Sequence, residues 1–337
     1  MSSAQERHWM VRAVSRCGLV AGVAWLATTA VSVAQSPAAD IKQRLNELGW
    51  GRDQEGAHLY DSALQAAPKG GVKVTKDIAY GSHPRQKLDI YQSPGKSNLP
   101  IMVFFHGGGY NRGERDYNPM VHANILTYFA RNGFLGINAD YRLAPEFAWP
   151  TGGEDVRSVV EWVKKNAAQY GGNPDRIFLF GHSAGASHVA LYALDRRFQP
   201  ANGPGIAGAI LLSGRYQLHY DPDDASVAKG GVAEYFGTDP SRFESRSVTS
   251  HVDESHVPIM LVLSEHDQVN LATTSGELFV ALCKRDGGRC PRLVQIKYHN
   301  HMSEIYHFNT QDDYLGREII EWTREGFGVD RHADSRQ

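Results

Sequence analysis

The stretch Ile177-Phe178-Leu179-Phe180-Gly181-His182-Ser183-Ala184-Gly185 decides how the rest of the chain is interpreted. Its four leading apolar residues predict a short buried strand, and the residues from Ala184 to Leu194 predict a helix. A serine between two glycines at such a strand-to-helix turn is typical of a nucleophile elbow, which lifts the hydroxyl clear of the sheet edge. The following helix directs its N-terminal amides and positive dipole end at the reacting centre. The stretch therefore predicts a catalytic Ser183, which needs a histidine, an acid and an oxyanion hole elsewhere.

Strands and helices alternate along the chain around this stretch. The run Ile101-Met102-Val103-Phe104-Phe105 is continuously apolar, as expected of a strand covered on both faces. The other expected strands are 72–80 and 86–91, as a hairpin-like pair at a sheet edge, then 134–139, 177–180, 206–212, 258–263 and 292–297. The expected helices are 40–65 (a helix-like segment), about 119–132, 154–169, 184–194, 273–284 and 312–327, and 171–175 is expected to be a turn. This alternation predicts an α/β fold with a mainly parallel sheet, helices on both faces, and the chemistry at the carboxyl ends of the strands.

Composition indicates an ordinary globular protein and argues against polyanionic partners. The 337 residues are 42% hydrophobic and 21% charged, with a formal net charge of −2. Such a balance does not steer nucleic acid or an anionic membrane surface to the chain. The expected organisation is a signal peptide over 1–34, an N-terminal helical segment over 35–71 that could form a partial cap, a catalytic domain over 72–328, and a polar tail over 329–337.

The first 34 residues have the pattern of a secretory signal. Arg7, Arg12 and Arg16 form a basic region, the residues from Cys17 to Ala30 are mostly small and apolar, and Ser32-Val33-Ala34 offers a cleavage site. The alternative is a retained membrane anchor, but the apolar stretch is short and rich in alanine for a spanning helix, which needs roughly 20 apolar residues. We therefore expect cleavage, a periplasmic or secreted protein, and no stable membrane association afterwards.

Cysteine usage agrees with export. Removal of the signal leaves Cys283 and Cys290, which bracket a short polar, glycine-bearing segment. An oxidising compartment would let them close a small disulfide loop, and two free thiols are the alternative.

A glycine run follows the strand that ends at Phe105. In His106-Gly107-Gly108-Gly109-Tyr110 the glycines let the backbone approach a substrate and turn its N–H groups inward. Upstream of an elbow, such a run predicts an oxyanion hole made by the amides of Gly108, Gly109 and Ala184. His106 is expected to orient this loop by hydrogen bonding and not to act as the base.

The acid and the base should follow Ser183 in the order acid, then histidine. Asp267 lies at the tip of the loop after strand 258–263, with Glu265 as the rival acid. His301 is the preferred candidate for the base, His299 is second and His307 is also a candidate. His266 is discounted because it precedes the acid in the chain.

The three motifs His106-Gly107-Gly108-Gly109, Tyr141-Arg142-Leu143-Ala144-Pro145-Glu146 and Gly181-His182-Ser183-Ala184-Gly185 resemble those of the hormone-sensitive-lipase-like esterases. The resemblance covers roughly residues 85–325. It implies an α/β-hydrolase fold and the same catalytic and oxyanion residues. The N-terminal segment is short for the helical cap that many members carry, so we expect a small or minimal cap, and we expect no cofactor or metal. The residues around His301 also resemble smaller esterases and arylformamidases.

Further residues are assigned supporting positions. Arg142 and Glu146 are expected to pair and brace the active-site loops. Tyr110, Trp149 and His182 are candidate pocket walls.

These features favour an exported serine carboxylic-ester hydrolase that acts on short-chain or aromatic esters through an acyl-enzyme. An arylformamidase or amidase with the same triad is the enzymatic alternative, and a non-catalytic binding protein on a hydrolase fold is the alternative of another class. The expected partner is a small-molecule ester, and the sequence gives no oligomeric state.

Overall fold

A single sheet organises the described part of the chain. The computed structural model describes residues 37–117, 120–219 and 230–325. The strands are β1 (Lys73–Ala79), β2 (Lys87–Gln92), β3 (Leu99–Phe105), β4 (Leu135–Ala139), β5 (Gly172–His182), β6 (Gly208–Leu212), β7 (Ile259–His266) and β8 (Arg292–Asn300). They lie in the order β1-β2-β4-β3-β5-β6-β7-β8. Only β2 runs antiparallel to its neighbours β1 and β4, and all other neighbours are parallel. The predicted mainly parallel sheet is confirmed.

Helices cover both faces of this sheet. They are α1 (Pro37–Leu48), α2 (Asp53–His58), α3 (Asp61–Ala66), α4 (His122–Arg131), α5 (Thr151–Asn166), α6 (Ala184–Leu194), α7 (Gly231–Phe236), α8 (Phe243–Arg246), α9 (Val269–Arg285), α10 (Ser303–Tyr306) and α11 (Tyr314–Arg324). Side chains alternate along a strand, so a strand covered on both faces is apolar throughout. In β3, Val103 and Phe105 pack in the core cluster that contains α5, α6 and α9. Met102 and Phe104 pack in the opposite cluster with α1, α4 and α11.

The segment predicted as a turn before β5 is partly strand. Gly171 has a φ of 85° and ends a 3-10 turn over Ala167–Tyr170, but Gly172 already pairs with Leu99 of β3. The pairing register shifts between Leu99 and Ile101, and such irregular positions tolerate a proline, here Pro174. The turn signal was therefore right for Gly171 and wrong for the residues after it.

The insert between β6 and β7 carries two short helices, α7 and α8, and residues 220–229 within it lie outside the described ranges. Its apolar residues Tyr235, Phe236 and Phe243 are buried in a small cluster with Tyr110. The ring of Tyr235 stacks on the ring of Tyr110 at 5.0 Å. This small insert therefore packs directly on the glycine loop that follows β3.

The N-terminal helices pack against the end of β8. Lys42 forms an ion pair of 2.7 Å with Asp312, and the hydroxyl of Tyr60 donates to the same carboxylate at 2.9 Å. The side-chain amide of Asn300, at the end of β8, donates to the carbonyl of Arg52 at 3.1 Å. The segment thus supports the loop that follows β8.

Cys283 and Cys290 form a disulfide that joins the end of α9 to the approach to β8. The predicted signal over 1–34 and the tail over 329–337 lie outside the described residues. Within the described ranges, no helix combines the length and the apolar character needed to span a bilayer.

Candidate active site

Ser183 stands at the sharp turn between β5 and α6, with a φ of 54° and a ψ of −121°. A left-handed serine is strained and is held only by the packing around it. A Cβ atom on Gly181 would lie 2.5 Å from the backbone of Ala186, and one on Gly185 would lie 2.2 Å from the carbonyl oxygen of Phe105. Both positions therefore require glycine, which explains the spacing of the motif.

Three side chains from separate loops meet at this turn. His301 Nε2 lies 3.0 Å from Ser183 Oγ, and His301 Nδ1 lies 3.0 Å from Asp267 Oδ1. Asp267 is buried at the end of β7, and His301 is buried just after β8. Because the carboxylate can only accept, Nδ1 carries the proton and Nε2 is free to accept the proton of the serine hydroxyl. The arrangement can activate Ser183 as a nucleophile.

The two rival histidines have other partners. His299 Nε2 lies 3.2 Å from Asp312 Oδ2, and its Nδ1 lies 3.2 Å from the hydroxyl of Ser303. His307 is fully buried, and burial lowers its pKa to about 3. Both imidazoles belong to the core beneath the loop.

The rival acid is also engaged elsewhere. The carboxylate of Glu265 accepts from the backbone N–H of Tyr298 at 2.6 Å. His266 packs edge-on against Trp50, with ring centroids 6.2 Å apart. Of the acids and histidines weighed from the sequence, Asp267 and His301 are the two that the structure brings to Ser183.

The glycine loop adopts a conformation that side chains would prevent. Gly108 has a φ of 129° and Gly109 a φ of 59°, both in the region that favours glycine. A Cβ atom on Gly108 would lie 2.0 Å from the carbonyl oxygen of Arg112. Both glycines line the same cavity as Ser183 and Ala184. Their backbones therefore form part of the cavity wall around Ser183.

A buried charged network holds this loop from below. His106 is fully buried, with Nδ1 2.6 Å from the carbonyl oxygen of Gly107 and Nε2 3.3 Å from Asp140 Oδ1. Arg115 pairs with the same aspartate. Burial acts to raise the pKa of Asp140, but hydrogen bonding and charge from His106 and Arg115 outweigh it and lower that pKa. His106 contacts the loop and not Ser183, as the sequence suggested.

The expected pair between Arg142 and Glu146 is wrong. The guanidinium of Arg142 binds Asp155 of α5 with hydrogen bonds of 2.8 and 3.0 Å, and Glu146 is exposed. The loop is not helical, so a spacing of four residues does not bring the two side chains together. Arg142 still braces the loop, but it does so through α5.

The three candidate pocket residues differ in position. Tyr110 and His182 line a cavity of about 480 Å³ that also contains Ser183 and His301. Trp149 is not among the residues that line it, which corrects that prediction. The guanidinium groups of Arg197 and Arg246 lie over its indole ring, 5.4 and 4.9 Å from the ring centroid.

Polar side chains form part of the rest of the cavity wall, beside apolar ones such as Leu271 and Ile305. Asp53 and Gln54 reach it from the N-terminal helices, and the remaining polar lining residues include Asn111, Arg112, Arg215, Gln268 and Asn270. The N-terminal segment therefore forms part of the cavity wall, which the sequence did not specify.

Sequence reasoning missed Glu304, which is fully buried next to these groups. Its Oε1 lies 3.1 Å from His182 Nε2 and 3.7 Å from His301 Nδ1. Together the three side chains offer ligand atoms within 4.8 Å of one another. The imidazoles are already hydrogen-bonded, His182 to the carbonyl oxygen of His301 and His301 to the other two triad residues, so we do not interpret the group as a metal site.

An eight-stranded sheet of this order, with a serine elbow after β5 and a histidine loop after β8, defines an α/β-hydrolase fold. Comparison with solved structures agrees. An esterase B from Lactobacillus rhamnosis superposes with a TM-score of 0.64 at 17% identity, covering 85% of this chain and 95% of that one. An esterase from Pyrobaculum calidifontis superposes with a TM-score of 0.62 at 18% identity, covering 86% and 94%. At this identity the likeness shows the fold.

Sequence comparison gives the family context. The profile of the BD-FAE family matches residues 88–204. Carboxylesterase NlhH of Mycobacterium tuberculosis is 39% identical over 138 residues, which is 40% of this chain and 41% of the relative. Esterase LipQ of the same species is 28% identical over 231 residues, or 64% and 53%. The chain thus spans about half the length of these relatives or less. The resemblance to the hormone-sensitive-lipase-like esterases is confirmed by these matches.

Proposed function

We propose that the chain is a serine carboxylic-ester hydrolase that works through Ser183, His301 and Asp267. The observation that carries the proposal is the continuous chain of hydrogen bonds through these three side chains. Ser183 Oγ lies 3.0 Å from His301 Nε2, and His301 Nδ1 lies 3.0 Å from Asp267 Oδ1. Ser183 and His301 line a cavity together with Gly108 and Gly109, the two glycines of positive φ in the loop after β3. The esterases among its sequence relatives support the same reaction.

The reaction follows from the position of each group. Ser183 Oγ attacks the acyl carbon while its proton passes to His301 Nε2, and Asp267 stabilises the resulting imidazolium. The negative oxygen of the tetrahedral intermediate accepts from the N–H groups of Gly108, Gly109 and Ala184. The alcohol leaves with the proton of His301, so an acyl-enzyme remains. A water that gives its proton to His301 then releases the acid and restores Ser183.

The cavity favours short acyl or aromatic esters over long-chain triglycerides. Its volume is about 480 Å³, and polar side chains such as Asp53 and Gln268 form part of its wall. A long acyl chain would need an extended apolar channel, and interfacial binding needs a large apolar surface. Tyr235, Phe236 and Phe243 of the insert are buried in a cluster with Tyr110 of the glycine loop instead.

We therefore expect turnover of p-nitrophenyl esters to fall as the acyl chain grows past roughly eight carbons, because the cavity cannot accommodate the additional methylenes. Each methylene that it does accommodate gains only about 1–3 kcal/mol. The measurement is kcat/KM across a graded ester panel, with N-formyl aryl amines and simple amides as matched substrates. Preference for emulsified long-chain triglycerides would contradict the substrate class. Preference for the amides would favour the arylformamidase alternative.

We further propose that the protein is exported and that it matures near Gln35 with Cys283 and Cys290 joined. The signal pattern over 1–34 and the pairing of the two cysteines support this. Unreduced protein from the periplasm or medium should have the mass of a chain beginning near Gln35 and should gain two hydrogens on reduction. An intact N-terminus there would contradict cleavage, and two alkylatable thiols before reduction would contradict the disulfide.

A further inference from the structure

Glu304 is a fully buried carboxyl group for which the proposed reaction has no use. It lies in α10, three residues after His301, so both side chains are on one turn of the chain. A carboxyl group is almost never buried without partners that compensate for the loss of water. Its environment should therefore reveal its charge.

Each secondary-structure element that packs against Glu304 presents a different side chain to it. The hydroxyls of Ser213, after β6, and Ser264, in β7, both donate to Oε2. Oε1 has no hydrogen-bond partner among the described residues, although His182 Nε2 lies 3.1 Å away. That nitrogen already donates to the carbonyl oxygen of His301 at 3.0 Å.

Among the described residues, the charged groups that act on Glu304 are carboxylates. Asp267 occupies the other side of His301 Nδ1, which lies 3.0 Å from Asp267 Oδ1 and 3.7 Å from Glu304 Oε1. Asp53, at the start of α2, adds a more distant negative charge. His182 adds no positive charge, because burial and then the neighbouring His301 lower its pKa well below the ordinary value.

We propose that Glu304 is an uncharged carboxylic acid at neutral pH and that it is a positioning residue for His301, which leaves Asp267 as the single negative charge beside the imidazole. The inference rests on the proposed function of His301. A second buried carboxylate at this position would face Asp267 without a cation of its own in the described part of the chain, and unpaired buried charge is costly. Burial and the charge of Asp267 raise the pKa of Glu304 well above its ordinary value, which supports the same state.

The neutral acid has two tasks in this geometry. Through Oε2 it ties the loop that carries His301 to the ends of β6 and β7, by way of Ser213 and Ser264. As an uncharged group it also fills the space beside His301 Nδ1 without competing with Asp267 for the imidazolium. The imidazole then keeps one acceptor, Asp267, and one orientation.

The direct test is the pH profile of kcat/KM for Glu304→Gln, with a soluble short-acyl p-nitrophenyl ester as substrate. The acid limb of this profile reports the apparent pKa of the base in the free enzyme. Glutamine replaces a neutral acid with a neutral amide of the same shape. The kcat of Glu304→Gln should therefore stay within about threefold of the wild-type value, and the midpoint of its acid limb within about 0.3 pH units. If Glu304 is ionised, removal of its charge should lower that pKa by about one unit or more, and this result would overturn the inference.

Glu304→Ala separates positioning from charge. Loss of the contacts to Ser213 and Ser264 should lower kcat roughly 10- to 100-fold with KM little changed, and Glu304→Gln should restore it. Glu321→Gln, on the exposed side of α11, is the matched control and should follow the wild type throughout. Equal loss in the glutamine and alanine variants, or failure of the glutamine variant to fold, would contradict a neutral acid.

A second readout does not depend on catalysis. A group whose folded pKa is raised above its unfolded value binds more protons when folded, so it lowers stability as pH rises between those two values. Wild-type Tm should therefore fall relative to that of Glu304→Gln between about pH 5 and about pH 8. Parallel Tm profiles would refute the neutral acid whether or not the chain hydrolyses esters. Absence of ester turnover in wild-type protein that shows the diverging profiles would instead refute only the proposed function.

Discussion

Ser183→Ala should lower ester turnover on the order of 10³-fold or more, with a residual rate from the oxyanion hole and binding. The reason is chemical, because the acyl-enzyme cannot form without Oγ, whereas the glycine loop and the cavity remain. The backbone strain at φ 54° is the same for alanine and serine, so Tm should change little. The measurement is kcat on a short p-nitrophenyl ester together with a thermal melt.

Labelling provides the control for that variant. A serine-directed phosphonate should modify wild-type protein once, on the peptide that contains Ser183, and should leave the alanine variant unmodified. Ser187, one turn further along α6, is an internal control for selective labelling. Its hydroxyl lies 2.9 Å from that of Tyr110, and it should not react with the phosphonate. Near-normal turnover by a pure alanine variant would remove the central proposal.

The sequence predicted the fold well because its strongest signals are local. A parallel strand covered on both faces must be apolar throughout, so the run that ends at Phe105 was identifiable by inspection. The elbow was equally readable, because Gly181 and Gly185 are required by backbone contacts within a few ångströms. Chain order then placed candidate acids and histidines at strand ends, and the structure brings Asp267 and His301 within 3.0 Å of their partners.

The misses involve contacts that local patterns do not encode. Arg142 pairs with Asp155 because α5 packs against its loop, and only the fold determines that neighbour. Trp149 contacts Arg197 and Arg246, which come from two distant segments. Glu304 was missed because a single glutamate after a histidine carries no signal of burial, although a spacing of three residues from His301 could have suggested proximity.

His301→Ala should be as damaging as loss of the nucleophile, on the order of 10³-fold or more in kcat. Without the imidazole no group accepts the proton of Ser183 or protonates the leaving alcohol. Asp267 would also lose the imidazole N–H that lies 3.0 Å from its Oδ1. The measurement is kcat and phosphonate labelling, and both should fall because the serine is no longer activated.

His299→Ala is the matched comparison, because this histidine is also buried and lies two residues away. Its partners are Asp312 and Ser303, and Asp312 connects the loop to the N-terminal helices through Lys42 and Tyr60. Its loss should lower the free energy of unfolding by roughly 1–3 kcal/mol, because buried polar groups are left unsatisfied. Folded protein assayed well below its Tm should keep turnover within about tenfold of the wild-type value. The reverse result, severe loss in His299→Ala and mild loss in His301→Ala, would mean that the base is His299 and that the relay to Ser183 requires a different loop conformation.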